Sequence, residues 1–166
     1  MQSGAGGVEV VTEDELLALA RALAGVTVVT ASESTGAPEV AWGDSFIFYD
    51  APGTDLETAD RRFPFATVVV KDYPGFDEAS QLAREGVFRV NINVGKARFT
   101  ELVGYPPAQH DDRRADTDYA AFDTVLPHPA YGQQAWVSVV CPSEHTADLV
   151  RTLLTEARDR AARRAR

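Results

Sequence analysis

The chain has 166 residues and a net charge of −9; 45% of its residues are hydrophobic and 25% are charged. This length and composition predict a globular domain with its own core and exclude disordered and fibrous chains. The single cysteine, Cys141, excludes an internal disulfide and a multi-thiolate metal site, which favours a reducing compartment. No apolar run approaches the roughly eighteen residues of a membrane span, and segment 1–11 lacks a signal-peptide pattern, so we expect a cytoplasmic protein without a membrane segment.

Acidic and basic residues are unevenly distributed along the chain. From Arg151 onward six arginines outnumber two acids, so the first 150 residues carry all of the excess negative charge. An acidic body repels the phosphate backbone, which makes nucleic acid an unfavoured partner. The arginines near the C-terminus, Arg160, Arg163, Arg164 and Arg166, are typical of the solvated end of a helix, where cations complement the helix dipole. A contact with an acidic partner is the alternative.

The first half of the chain has one helix signal followed by several strand signals. Thr12 and Glu15 form a capping box, and apolar residues then recur at helical spacing until Gly25. Runs of β-branched and aromatic residues between Gly, Pro and Asp predict strands. In chain order the predicted elements are a helix at 12–24, a strand at 26–31, an extended run at 39–42 that forms a hairpin with 45–49, an exposed loop at 50–62 and a central strand at 65–70.

The second half contains the clearest strand and the longest helix. Within residues 87–94, apolar residues alternate with Arg89, Asn91 and Asn93, which predicts a strand with one apolar and one polar face. Ser143 precedes apolar residues at helical spacing and is the predicted N-cap of the last helix. The other predicted elements are a turn at 73–85, a short helix at 95–103, a loop at 105–118, a turn of helix at 119–126, extended backbone at 127–129, a strand at 135–140 and the final helix at 143–162.

This order of elements excludes a regular alternation of parallel strands and helices. Terminal helices on one face of a mainly antiparallel sheet bury both apolar stripes most simply, so the predicted fold class is α+β. The predicted organisation is a flexible N-terminus at 1–11, a single α+β domain at 12–162 and a basic end at 163–166.

Several motifs carry a family resemblance: Gly25 followed by Trp42, the strands at 65–70 and 88–91, and Trp136 at the start of the last strand. In these the chain resembles the MmcQ/YjbR-like proteins. It is closer still to an actinobacterial branch of unknown function, through Pro64-Phe65-Ala66-Thr67, Gly86-Val87-Phe88-Arg89, Leu126-Pro127-His128-Pro129 with Tyr131, and Trp136-Val137. The resemblance covers residues 12–162 and implies a helix at each end of an antiparallel sheet. That family is often described as having a DNA-binding-like double-wing fold, against which the acidic charge of this chain argues.

The most unusual local sequence surrounds His128. Two prolines pin the backbone on either side of this histidine, as in a rigid loop that presents an imidazole for acid–base catalysis or ligand binding. Asp123 lies five residues earlier and is the candidate to orient the ring, with Tyr131 in support. A histidine that hydrogen-bonds a neighbouring strand is the structural alternative. No nucleophile motif accompanies His128, so a hydrolase triad is not predicted.

Arg89, Asn91 and Asn93 form the second candidate site, with Trp136 nearby. A guanidinium and two amides on one strand face could form a polar floor for an anionic or amide-rich ligand, and a solvated outer face is the alternative. The stretch 110–112, His-Asp-Asp, has metal-ligand residue types but no second histidine at a suitable spacing, so a loop and no metal site are predicted. Nucleotide-binding glycine motifs are absent, and no cofactor is predicted.

These observations leave three classes of function. The first is a domain that binds a small molecule or a protein partner in a cleft between sheet and loops. The second is an enzyme that uses His128 as general acid or base with Asp123 and Tyr131, and the third is a DNA-binding protein. A concave pocket shared by Arg89, His128, Tyr131 and Trp136, with His128 partly accessible, is the prediction that would support the first two.

Overall fold

The computed structural model describes residues 11–55 and 63–165. Within this part of the chain six strands form one sheet in the order β1-β2-β3-β4-β6-β5, and every neighbouring pair is antiparallel. The helices and strands are α1 (Glu13–Arg21), β1 (Val26–Thr30), β2 (Ser45–Tyr49), β3 (Ala66–Val69), β4 (Arg89–Asn93), α2 (Lys96–Val103), α3 (His110–Arg113), β5 (Leu126–Pro127), β6 (Trp136–Val140) and α4 (Ala147–Arg164). None of the described helices has the length and apolar composition needed to cross a membrane.

Both terminal helices pack on the same face of the sheet. Leu16 of α1 and Leu153 of α4 belong to one buried cluster with Val90 and Ile92 of β4, and all four side chains are at most 1% exposed. Side chains on a strand alternate between faces, so the apolar half of the pattern at 87–94 faces the helices and its polar half faces away. The predicted α+β fold is confirmed.

The start of the domain follows its local signals. The Oγ1 atom of Thr12 accepts a hydrogen bond from the Glu15 amide at 3.1 Å, and the Glu15 carboxylate accepts one from the Thr12 amide at 3.2 Å, so the predicted capping box is present. Gly25 then turns the chain into β1 with a φ of +77°. A Cβ atom at Gly25 would lie 2.5 Å from the Tyr49 ring, which explains the glycine at this position.

One prediction for the first half is wrong, and two others fall partly on residues outside the described part of the chain. The extended run at 39–42 is wrong, because Glu39–Ala41 forms a turn of 3₁₀-helix after Pro38, and the antiparallel partners of β2 are β1 and β3. The predicted hairpin between 39–42 and 45–49 therefore does not form. Residues 1–10 of the predicted flexible N-terminus and residues 56–62 of the predicted loop lie outside the described residues.

Three predictions for the second half are also corrected. The predicted loop at 105–118 contains the short helix α3, and the predicted helical turn at 119–126 is non-helical and ends in β5. The last helix begins at Ala147 rather than Ser143, and the Asp123 carboxylate accepts a hydrogen bond from the amide of its N-cap residue, Thr146. In each case a contact with a distant part of the chain decides the local structure.

Candidate functional site

A buried polar cluster lies on the sheet face opposite the helices. Its centre is Arg89, which is 1% exposed and donates to both carboxylate oxygens of Asp77, at 2.6 and 3.0 Å. The Nε atom of Arg89 donates to Asn91 Oδ1 at 2.8 Å, and Nη1 also donates to Ser80 Oγ at 2.8 Å. We call Arg89, Asp77, Ser80, Asn91 and His128 the buried polar cluster. Arg89 and Asn91 thus share the predicted face, but protein groups already occupy the donors that a ligand would need.

Asn91 links the three central strands. Its amide nitrogen donates to Thr67 Oγ1 at 2.9 Å, and its Oδ1 accepts from Ser138 Oγ at 2.8 Å. The sheet register places Thr67 and Ser138 directly beside Asn91 on β3 and β6. Asn91 is 1% exposed, so the polar floor that the sequence predicts at this position is closed to solvent.

His128 is buried in the same cluster. Its Nδ1 accepts hydrogen bonds from the amides of Ala130 and Tyr131, both at 3.0 Å, and because an amide can only donate, the proton of the neutral ring must be on Nε2. The Nη2 atom of Arg89 lies 3.3 Å from Nε2, but both carry hydrogen, so this contact is not a hydrogen bond. Asp77 Oδ2 lies 3.9 Å from Nε2.

The environment of His128 keeps the ring neutral. Burial lowers the pKa of His128 to about 3, and the positive charge of Arg89 adds to the effect. The side chain is 3% exposed, so the predicted partial accessibility is wrong. The physical reason is that the proline-flanked loop folds down onto the Arg89–Asp77 pair.

Asp123 lies at the start of α4 and does not orient the His128 ring. Its carboxylate accepts from the amides of Ser143, His145 and Thr146 at 2.7, 2.9 and 3.0 Å, and from the Thr146 hydroxyl at 2.6 Å. Burial alone would raise the pKa of Asp123, but these hydrogen bonds outweigh it and the pKa is lowered. The predicted orienting role is therefore wrong, and Asp123 holds the turn that leads into α4.

Tyr131 covers the buried polar cluster from outside. Its ring centre lies 4.8 Å from that of His128 and 5.7 Å from that of Phe76, and its side chain is 44% exposed. The predicted pocket shared by Arg89, His128, Tyr131 and Trp136 does not form, because Arg89 and His128 pack directly against Asp77. Tyr131 shields the imidazole rather than sharing a cavity with it.

Two further buried polar groups were not identified from the sequence. Asp44 is fully buried and accepts hydrogen bonds from the Val70 amide, at 2.8 Å, and from the Tyr73 hydroxyl; burial raises the pKa of both Asp44 and Tyr73. His110, predicted in a loop, is also fully buried, and a Cβ atom at Gly132 would lie 2.5 Å from its ring. No local pattern in the sequence marks either group as buried.

An open groove of about 700 Å³ lies at one end of the sheet, and we call it the end groove. The last residues of β2 and β4, the segment before β3, the first residue of β6 and the last turns of α4 meet there, because antiparallel strands bring alternate strand ends to one edge. Its lining includes Asp50, Phe63, Asn93, Trp136, Arg160 and Arg164. Of the sequence-predicted site residues, Asn93 and Trp136 line this groove.

Arg160 is the half-buried cation of the end groove. Its Nη1 donates to the carbonyl of Asn93 at 2.9 Å, and Nη2 lies 3.4 Å from Asn93 Oδ1. In residues 11–55 and 63–165, Arg160 makes no ion pair. Burial lowers the pKa of Arg160, and the charges of Arg164 and Arg163 lower it further. The prediction that Arg160 belongs to a solvated helix end is corrected: its guanidinium is fixed to the end of β4.

The end groove could have been partly anticipated from the sequence. Ala157, Arg160, Ala161 and Arg164 recur at three- and four-residue spacing, so they lie on one face of α4 and all line the groove. This pattern places two arginines among small residues on a single helix face. Nothing local, however, indicates that this face meets Asn93 and Trp136.

The described residues contain no group of three or more His, Cys, Asp or Glu side chains that could hold a metal ion. No curated protein and no solved structure matches the chain. Residues 11–166 match the family of unknown function DUF6194. Because this match covers nearly the whole chain, the protein belongs to the DUF6194 family.

Proposed function

We propose that the protein is a binding domain that holds a small molecule in the end groove. The observation that carries this proposal is the aromatic lining of the groove: Phe63 is 88% exposed, and Trp136 also lines the groove. Ligand sites are concave, have volumes of roughly 300–1,000 Å³ and combine apolar walls with a few polar groups. The end groove has all three properties.

The polar groups of the groove support a small molecule over a large partner. Asp50, Asn93, Arg160 and Arg164 lie around the aromatic walls, and a few directional groups of this kind orient a ligand that the apolar surface holds. Phe63 is 88% exposed, so its ring adds apolar surface that a ligand in the groove can cover.

Catalysis by His128 ranks below binding. A general acid or base must reach its substrate and titrate near the working pH, whereas His128 is buried with a pKa of about 3. DNA binding ranks lower still, because a chain with a net charge of −9 gains little from counterion release.

The compartment and the wider relationship are part of the proposal. We place the protein in the cytoplasm, supported by a single free cysteine, Cys141, which suits a reducing environment. We also propose a relationship to the MmcQ/YjbR-like proteins, supported by the order of helices and strands and by the motifs around Trp42 and Trp136.

Binding in the end groove is tested with N-phenyl-1-naphthylamine, an uncharged probe that fluoresces in apolar surroundings. We expect saturable binding of one probe per chain, measured by titration at constant protein concentration. Replacing Phe63→Ser should weaken binding by roughly tenfold, because a well-packed aromatic contact contributes on the order of 1.5 kcal/mol.

The matched control is Phe76→Ser, which removes an aromatic residue that is 59% exposed and lies beside Tyr131, away from the groove. Its probe affinity should equal that of the unaltered protein. The proposal is overturned if no saturable signal appears, or if Phe76→Ser weakens binding as much as Phe63→Ser.

A further inference from the structure

The charges around the end groove differ in sign from those of the protein as a whole. Arg160 and Arg164 line it against a single acid, Asp50, so the described lining is positive in a chain whose net charge is −9. A positive wall in an acidic protein attracts an anion and disfavours a cation.

Arg160 retains hydrogen-bonding capacity for such an anion. A guanidinium has five N–H donors, and the two described hydrogen bonds to Asn93 use one on each Nη atom. In the described part of the chain, none of the remaining donors is paired with a carboxylate. The planar fork of an arginine matches a carboxylate better than it matches any neutral acceptor.

Gly95 and Asn93 fix the position of this guanidinium. A Cβ atom at Gly95 would lie 2.9 to 3.2 Å from Cζ and both Nη atoms of Arg160, so the flat face of the guanidinium rests on the glycine. The two hydrogen bonds to Asn93 hold its edge. An arginine held on two sides loses little freedom when it binds, which makes it a specific anchor rather than a mobile surface charge.

The remainder of the groove selects against a bare inorganic anion. Five aromatic residues line it, including Phe63 and Trp136, and a phosphate or acetate ion would leave their surfaces in water. A ligand with a flat aromatic body would cover them while its charged group meets Arg160.

We propose that the end groove binds an aromatic carboxylate, with the ring against Phe63 and Trp136 and the carboxylate on Arg160. This inference rests on the proposed function and adds the ligand class and the residue that selects it. Arg164 also lines the groove, and its positive charge attracts the same anion at longer range.

The ligand class is tested by displacing N-phenyl-1-naphthylamine with 2-naphthoate, with its uncharged amide 2-naphthamide, and with inorganic phosphate. Since a hydrogen bond to a charged group is worth more than tenfold in affinity, 2-naphthoate should displace the probe at a concentration at least about tenfold lower than 2-naphthamide. Phosphate should not displace the probe. This comparison uses the unaltered protein, so it does not depend on the folding of a variant.

The role of Arg160 is tested with Arg160→Gln and the matched variant Arg163→Gln, which makes the same charge change on the same helix outside the groove lining. Arg160→Gln should weaken 2-naphthoate by about tenfold and leave 2-naphthamide unchanged, whereas Arg163→Gln should change either affinity by about twofold or less. Arg164→Gln serves as a second groove variant and should give an intermediate loss.

Each other outcome contradicts a stated part of the proposal. Equal displacement by 2-naphthoate and 2-naphthamide leaves small-molecule binding intact but overturns the carboxylate. Displacement of the probe by phosphate contradicts the requirement for an aromatic body. If Arg163→Gln weakens 2-naphthoate as much as Arg160→Gln does, net charge alone attracts the anion. If neither naphthalene compound displaces the bound probe, the groove does not take an aromatic carboxylate and the inference is overturned.

Discussion

Arg89 and Arg160 contact opposite ends of β4 and differ in their burial and in their partners. Arg89 begins β4, is 1% exposed and contacts Asp77 at 2.6 Å. Arg160 contacts the last residue of β4, Asn93, through a carbonyl and an amide, and has no acidic partner in the described chain. The residue type alone therefore does not indicate function. What matters is whether the fold itself supplies the opposite charge.

The largest expected effect comes from removing Asp77, the acid that pairs with the buried Arg89. Asp77→Ala leaves Arg89 charged and unpaired in the core, so we expect a loss of about 3–5 kcal/mol in the free energy of unfolding, measured with urea. The double variant Asp77→Ala/Arg89→Met should be less destabilised than Asp77→Ala, because it also removes the unpaired charge.

The control for Asp77 is an exposed ion pair of similar length. Asp111 contacts Arg114 at 2.8 Å, with both side chains at least half exposed, and Asp111→Ala should cost about 1 kcal/mol or less because water solvates both groups. Similar losses for Asp77→Ala and Asp111→Ala would show that the buried Asp77–Arg89 pair contributes no more to the free energy of unfolding than an exposed pair.

A second test uses pH. The pKa of His128 is about 3 in the folded protein and about 6.5 when unfolded, so the unfolded chain binds the proton more tightly. The stabilisation is therefore complete above about pH 6.5 and is lost as the pH falls towards 3. Between pH 7.5 and pH 5.0 this should remove on the order of 2 kcal/mol of unfolding free energy.

The measurement compares the pH dependence of the unfolding free energy in the unaltered protein and in the variant His128→Asn. The side chain introduced there keeps an oxygen that can accept from the amides of Ala130 and Tyr131. The difference between the two proteins cancels the opposite effect of Asp44, whose raised pKa stabilises the fold on acidification. Identical slopes in the two proteins would mean that His128 titrates in the folded state as it does in water.

The smallest expected effect concerns Asp123. Its carboxylate accepts hydrogen bonds from backbone amides, whereas that of Asp77 pairs with a buried cation. Asp123→Ala removes the acceptor of four hydrogen bonds in the turn before α4 and should cost about 1–2 kcal/mol of unfolding free energy. Asp123→Asn keeps an acceptor and tolerates the φ of +53° at this position, so its loss should be smaller. A loss as large as that of Asp77→Ala would place Asp123 in the same class as the buried pair.

Sequence reasoning succeeded where one element determines its own pattern. The alternation around Arg89 predicted β4 and its two faces, and the spacing after residue 143 predicted α4 apart from its first turn. It failed at 39–42 and at 105–118, where Pro38 and the burial of His110 against Gly132 decide the backbone. Pro38 adjoins the first of these segments, whereas Gly132 is far from His110 in the sequence, so no local period reveals their contact.

The candidate site was harder to predict for the same reason. Asp77 lies 12 residues before Arg89 in a turn-rich segment, and Asn93 lies 67 residues before Arg160. The sequence identified one residue of each pair on a regular element, but nothing local revealed its partner. Trp136 was predicted in a pocket with His128, and Asn93 in a polar floor with Arg89 and Asn91. Both residues line the end groove.

The contact between Gly95 and Arg160 allows relatives to be sorted without measuring any affinity. Because a side chain at position 95 would occupy the space of the guanidinium, a protein of this family with a larger residue there cannot hold an arginine at position 160 in the same place. The two positions should therefore change together during evolution. Chains that retain both would share the proposed preference for an aromatic carboxylate, and chains that lose both would have the same fold without it.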